Sequence, residues 1–187
     1  MAAFIVFEGI NGAGKTTLAK TLATNLDAFY IATPPNLLVR FRKIADEQFS
    51  MSARFLYYML GNMLASDEIR IIRKSRIVIC DRYIHSTMAR HVLLGLNVNF
   101  DIKTLGFEVP DVNFFIFTTD EIERRKRIAE REKKDKWDDL DENNELRGKY
   151  IDYFRQKQEF IFIDTSHEKI EKSLDKIKKN LVQKGGI

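Results

Sequence analysis

One cysteine, Cys80, stands among 187 residues, which excludes an internal disulfide framework and fits a reducing, cytoplasmic setting. Prolines are scarce, three in all. With no Pro/Gly/Ser-rich linker and no internal repeat, one domain over 1–187 is expected. No apolar stretch approaches the roughly twenty residues of a membrane span. Nor does the amino end join a basic segment to an apolar one as a secretory signal does. A membrane partner and export are therefore both outside the expectation. Charge of one sign is not in large excess either: 31 Lys and Arg against 27 Asp and Glu leave +4. Acids interleave the bases from Glu121 to Glu142, and the lysines of the tail, from Lys169 to Lys184, read as a solvated helix face. Nucleic acid is not an expected partner. Three histidines, His85, His91 and His167, lack metal-ligand spacing and read as packing or surface residues. The single tryptophan, Trp137, lies in a charged stretch, where it either covers a hinge or packs locally.

What is present is an alternation of short apolar runs and amphipathic segments. Strands are expected near Ala3–Glu8, Ala28–Ala32, Arg76–Cys80, Asn113–Thr118 and Phe160–Asp164. Helical periodicity covers Lys15–Leu26, Asn36–Gln48, Ser52–Lys74, Ile84–Leu94, Asp120–Lys133, Asn143–Gln156 and Glu168–Val182. Strands with few charges between amphipathic helices predict a parallel sheet covered on both faces, an α/β chain in three layers. Ligands of such sheets bind beyond the carboxyl ends of the strands.

The first strand runs into "FEGINGAGKTT", which satisfies G-x-x-x-x-G-K-[ST] with Gly9, Gly14, Lys15 and Thr16. Glycines let several backbone N–H groups converge on one anion, the lysine reaches the outer phosphates, and the threonine hydroxyl can ligate Mg²⁺. The helix that follows points its positive end at the same charge. The sequence thus assigns Gly9, Asn11, Gly12, Ala13, Gly14, Lys15, Thr16 and Thr17 to a nucleotide's phosphates. The third strand ends in Asp81-Arg82-Tyr83. A carboxylate at that tip can organise Mg²⁺ opposite the loop threonine, and the arginine can grip phosphate bidentately. The alternative is an acidic helix cap beside a surface ion pair. A third element, "DEIERRKRIAEREKKDKWDD", repeats Arg124, Arg127 and Arg131 at helical spacing, which suits a lid carrying positive charge onto a migrating phosphoryl group. An exposed helix laced with pairs such as Glu123–Arg127 explains the same spacing.

Taken in order, "FEGINGAGKTT", "DRYIHSTMARH", "PDVNFFIF", the arginine-rich segment and "IFIDTS" resemble the thymidylate kinase family over nearly the whole chain. That resemblance implies a P-loop kinase fold with a five-stranded parallel sheet, an arginine-bearing lid over about 120–142, and homodimers. It implies transfer of the γ-phosphoryl group of ATP, with Mg²⁺, to a nucleoside monophosphate, dTMP giving dTDP. Lys15, Thr16 and Arg82 would serve ATP and the transferred group, with Arg127 and Arg131 as lid arginines. Thr165, within Asp164-Thr165-Ser166, would lie near the adenine. Departures gather on the acceptor side. Asn11 stands where the family has an acid, Thr33-Pro34-Pro35-Asn36 where it carries Arg-Glu-Pro-Gly, and Asn62 where it has an arginine. Tyr58 retains an aromatic ring for stacking, Ser86 is kept, and Arg90-His91 replaces Tyr-Gln. The expected acceptor contacts are therefore Tyr58, Arg82, Ser86 and Arg90, with Arg90 or His91 reading a base edge or gripping phosphate; the alternative is that both point to solvent.

A second resemblance is to deoxynucleoside kinases, in which a glutamate at the strand end is the base toward a sugar hydroxyl; Glu8 holds that place. A nucleotide-dependent switch would carry Asn-Lys-x-Asp and Asp-x-x-Gly, and neither string occurs. A binding module that has lost catalysis is a third alternative, against which Lys15, Thr16, Asp81 and Arg82 are all present. Finally, the middle helices carry Phe41, Ile44, Phe49, Phe55, Leu56, Met59, Leu60, Met63 and Leu64, more apolar surface than one sheet face requires, which favours a homodimer.

Overall fold

The computed structural model describes residues 1–98, 103–130 and 142–185. Five strands, β1 (Phe4–Gly9), β2 (Phe29–Ala32), β3 (Val78–Asp81), β4 (Val112–Phe117) and β5 (Phe160–Asp164), form one sheet in the order β2-β3-β1-β4-β5. Every pairing is parallel. Among the described residues the helices are α1 (Lys15–Asn25), α2 (Asn36–Val39), α3 (Arg42–Gln48), α4 (Met51–Ile72), α5 (Ile84–Leu93), α6 (Glu121–Ala129), α7 (Asn144–Arg155) and α8 (Ile170–Gln183). The expected α/β architecture is the one found.

Residues of β1 are buried at all six positions, as a central strand covered on both faces must be. Its two-residue alternation sorts the core into layers. Ile5 and Phe7 pack with Leu18 and Leu22 of α1 and with Leu174 and Ile177 of α8. Phe4 and Val6 pack with Phe55, Met59 and Ile69 of α4 and with Ile84 of α5. On β4, Phe115 turns to the second face and meets Tyr150 and Phe154 of α7, with ring centroids 6.1 and 4.6 Å away. Glu8 follows Phe4 and Val6 on that face, whereas Asp81, two residues after Ile79, follows the α1 face.

Two sequence expectations change in detail. The helix expected over Asn36–Gln48 is two helices, because the Phe41 amide closes a short turn on the Leu38 carbonyl at 2.9 Å. The strand expected from Arg76 starts at Val78. Arg76 instead clamps Asp27, donating to its backbone oxygen at 2.8 Å and its carboxylate at 2.7 Å. Helix α4 begins where Ser50 accepts from the Ala53 amide. Mid-helix Gly61 lets Pro34 approach, since a Cβ there would lie 3.0 Å from the proline Cβ.

All five strands end at one edge, where Gly9 sits beside Ile116, Phe7 beside Asp81 and Phe117 beside Asp164. Gly9 has φ +146°, and a Cβ there would lie 2.0 Å from the Ile116 carbonyl oxygen. Gly9→Ala is expected to cost about 3 kcal/mol or more, because backbone would have to yield. Gly148 of α7 has open space around it, so Gly148→Ala is expected to stabilise by about 1 kcal/mol. Chemical unfolding of both variants checks the contrast.

Candidate functional site

Between β1 and α1 the chain wraps the open end of the sheet. Gly12 has φ +83°, and a Cβ there would lie 2.8 Å from the Arg124 carbonyl oxygen, so only glycine fits between loop and α6. Helix α1 starts after Gly14 with no side chain capping it. Its first amides are thereby open to an anion. The cleft above holds about 560 Å³ and is lined by Asn11, Gly12, Gly14, Lys15, Thr16, Thr17, Tyr30, Asp81, Arg82 and Arg127, among others. Thr165 fastens this loop from below, donating from its hydroxyl to the Ala13 carbonyl at 3.0 Å and the Phe117 carbonyl at 3.1 Å.

Lys15 is only 6% exposed, and its Nζ lies 3.7 Å from Asp81 Oδ1. Burial, with Arg82 adding to it, lowers the lysine to about 8, while Asp81 opposes the shift. Thr16 Oγ1 donates to Asp81 Oδ2 at 2.5 Å. Asp81 Oδ1 is buried and has no hydrogen-bond partner among the described residues. Thr16 Oγ1 and Asp81 are hard oxygen donors facing a phosphate cradle, which is the set that suits Mg²⁺ completed by phosphate and water. No group of three His, Cys, Asp or Glu side chains among the described residues makes an all-protein cage.

Arg82 is a non-glycine residue with φ +67°, a conformation that costs free energy and is kept only where surroundings enforce it. Its guanidinium donates to the Gly9 carbonyl at 3.1 Å, to Asn11 Oδ1, and to the Tyr150 hydroxyl at 3.4 Å. The Asn11 side chain thus engages an arginine inside the chain. On α6, Arg127 forms the foreseen pair with Glu123 at 3.0 Å and also lines the cleft. Arg124 is fully buried, donating to the Asn11 carbonyl at 3.2 Å and twice to Glu121 at 2.7 Å. These contacts, chiefly Arg124, hold Glu121 down at about 2. Arg124 therefore braces the phosphate loop and is not part of a mobile charged surface. Arg131, Trp137 and the rest of the expected lid from 131 to 141 lie outside the described residues.

Glu8 is fully buried. Its carboxylate accepts from the Tyr83 amide at 2.9 Å, the Ser86 amide at 3.1 Å and the Ser86 hydroxyl at 2.7 Å. Burial raises its pKa, while Arg82 and these hydrogen bonds work against the rise. Both oxygens are occupied in closing the start of α5, which does not favour a base acting on a sugar hydroxyl.

A second, much smaller cavity, of about 40 Å³, adjoins the cleft and shares Arg82, Thr33 and Arg42 with it. Tyr58, Ser86, Thr87, Arg90 and His91 also line it, so all four expected acceptor residues meet here. Arg90 is buried and stacks over Tyr150 at 5.5 Å. His91 is fully buried, with Nδ1 2.8 Å from the Thr87 carbonyl. Burial, the largest cause, lowers it to about 4. A neutral imidazole cannot supply positive charge to a phosphate, so of the two replacements only Arg90 can. Asn62 reaches no charge either: its amide donates to the Thr87 hydroxyl at 3.0 Å.

Arg42, like Tyr30 and Thr87, lines the cavities and was passed over in the sequence reading. It donates to the Tyr58 hydroxyl at 3.3 Å and lies 3.7 Å from Asp46. In sequence, Arg42 and Asp46 look like any i,i+4 pair on an exposed helix. Only the break after α2 aims that helix at the cleft.

The family model described as thymidylate kinase matches residues 7–177. A protein of Methanocaldococcus jannaschii named a probable thymidylate kinase is 35% identical over 176 residues, 90% of this chain and 89% of that one. One from Methanococcus aeolicus with the same name is 30% identical, covering 98% of each chain. In structure, the thymidylate kinase of Candida albicans superposes with a TM-score of 0.75 at 17% identity, over 99% of this chain and 93% of its own. These matches and the geometry agree: the chain belongs to the thymidylate kinase family.

Proposed function

We propose that the protein transfers the γ-phosphoryl group of ATP to dTMP, with the cleft holding the donor, the smaller cavity's lining marking the acceptor's place, and Arg82 standing between them. The observation that carries this reading is the lining of the second cavity. Arg42, Arg82 and Arg90 converge there, a set of guanidinium groups suited to an anionic acceptor rather than an uncharged nucleoside. A phosphate oxygen of the acceptor attacks the γ-phosphorus in line, the bond to the bridging oxygen breaks, and ADP leaves. Such a transfer depends on position and charge stabilisation more than on covalent chemistry by the protein. Lys15, Arg82 and Arg127 stabilise the phosphates, and Arg131 is assigned with Arg127 to a lid over about 120–142. Backbone groups from Gly12 to Thr17 cradle the donor, and Thr165 holds that loop in place. Mg²⁺ held through Thr16 and Asp81 would neutralise developing charge on the donor's oxygens. Tyr58 offers its ring to the base, while Ser86 and Glu8 fix the start of α5. The deoxynucleoside kinase reading is not favoured, because Glu8 is committed to α5.

A homodimer across α2, α3 and α4 completes the proposal. Phe41, Ile44, Phe49, Leu56, Leu60 and Met63 are each at least 38% exposed, a surface suited to a second copy. Phe55 and Met59, assigned to this face from the sequence, instead lie in the sheet core. A cytoplasmic location accords with Cys80 as a buried free thiol.

Incubation with Mg·ATP and a panel of nucleosides and monophosphates should release ADP with dTMP; release with thymidine alone would replace this reading. Lys15→Ala should lower turnover several hundredfold with the fold retained. The pH dependence has a definite sign. With Lys15 lowered to about 8, its charge is lost as pH rises through that value, so kcat/KM for ATP should fall above pH 8. Bound phosphates favour the ammonium form, so kcat should hold to higher pH. Arg90→Ala should raise the KM for dTMP about tenfold and leave that for ATP unchanged; equal effects on both would remove Arg90 from the acceptor site. Sedimentation at micromolar protein showing only a 21.9 kDa species would overturn the dimer.

A further inference from the structure

The carboxylate of Asp81 has a third neighbour that the phosphate-loop pattern does not include. Tyr30 of β2 donates from its hydroxyl to Asp81 Oδ2 at 3.2 Å. Strand pairing sets this contact. Tyr30 lies opposite Ile79, Ala32 lies opposite Asp81, and alternation puts Tyr30, Ile79 and Asp81 on the α1 face. There the Tyr30 ring lies under Lys20 of α1, whose Nζ is 5.5 Å from the centroid. Burial, and then the charge of Asp81, raise the phenol's pKa, so the hydroxyl stays a donor.

Thr16 and Tyr30 both donate to Oδ2, and Oδ1 is left buried on the side of Lys15. Two donors on one oxygen fix the rotation of a carboxylate. Of the two, Thr16 is itself a metal ligand in the proposed function, so its hydroxyl must serve cation and carboxylate together. Tyr30 is placed by β2 and by its packing under Lys20 of α1, and its hydroxyl is not assigned to the metal. We infer that Tyr30 is a positioning residue for the divalent cation, holding Asp81 in the rotamer that presents Oδ1 to the metal and its waters. This rests on the kinase reading of the cleft.

The test is Tyr30→Phe, which keeps the ring against α1 and removes one hydroxyl. Mn²⁺ titration of the protein·ADP complex, followed by electron paramagnetic resonance, should give a metal dissociation constant raised about three- to tenfold, the effect of one hydrogen bond. Metal-free ADP affinity should be unchanged, and the thermal midpoint of the unliganded protein should fall by no more than a few degrees, the effect of one hydrogen bond. In turnover, the Mg²⁺ concentration for half-activation should rise by a similar factor with the KM for dTMP unaltered. An unchanged Mn²⁺ constant, or an equal loss of metal-free ADP binding, would overturn the inference. If the unaltered protein bound no Mn²⁺ with ADP, the kinase reading would fail and this inference with it.

Discussion

The two cavities keep their spacing because one buried carboxylate joins the strand before the phosphate loop to the helix that bounds the second cavity. Glu8 accepts from the Tyr83 and Ser86 amides and the Ser86 hydroxyl. Helix starts leave amide donors unpaired, and a charged acceptor there satisfies them while complementing the helix dipole. One residue further along β1, Gly9 turns into the loop. Phosphate cradle and acceptor helix therefore share an origin fixed to within a peptide unit. Removing the carboxylate would leave buried amides unpaired, a penalty of about 1–3 kcal/mol for each.

Around this frame the protein gathers cations at a cost. Lys15 sits buried beside Arg82, and its lowered pKa puts that cost, after the part Asp81 offsets, at roughly 3 kcal/mol. It is recovered when a polyphosphate enters, because the same low-dielectric setting that penalises a lone ammonium strengthens its attraction to phosphate. Arg82 is held in a left-handed conformation by Gly9, Asn11 and Tyr150. An acid at position 11 would pair with Arg82 as a full charge, whereas asparagine holds it by a hydrogen bond and leaves the positive charge uncompensated at that contact.

Much of this was legible before any coordinates. Apolar runs gave five parallel strands because a strand covered on both faces must be apolar throughout, and the bounds of β5 were read without error. Lys15, Thr16, Asp81 and Arg82, which line one cleft, could be singled out because one local pattern and one strand end specify them. The acceptor side was harder, because its residues come from α2–α5 and the loops between. Arg42 and Asp46 look like solvent-exposed partners in sequence. Arg124 reads as one more lid arginine, yet it is sealed against the phosphate loop. Arg90 and His91 had solvent as an alternative, and both prove buried. Helical periodicity states which residues share a face but not which element that face meets.

In the proposed reaction, phosphate moves directly from the cradle to a monophosphate across Arg82. Incubation with ATP labelled at the γ-phosphorus and unlabelled dTMP tests it most directly. The account predicts that the label appears in the β-phosphate of dTDP, one atom for each ADP formed. Label recovered as inorganic phosphate, or transferred to thymidine in preference to dTMP, would contradict it.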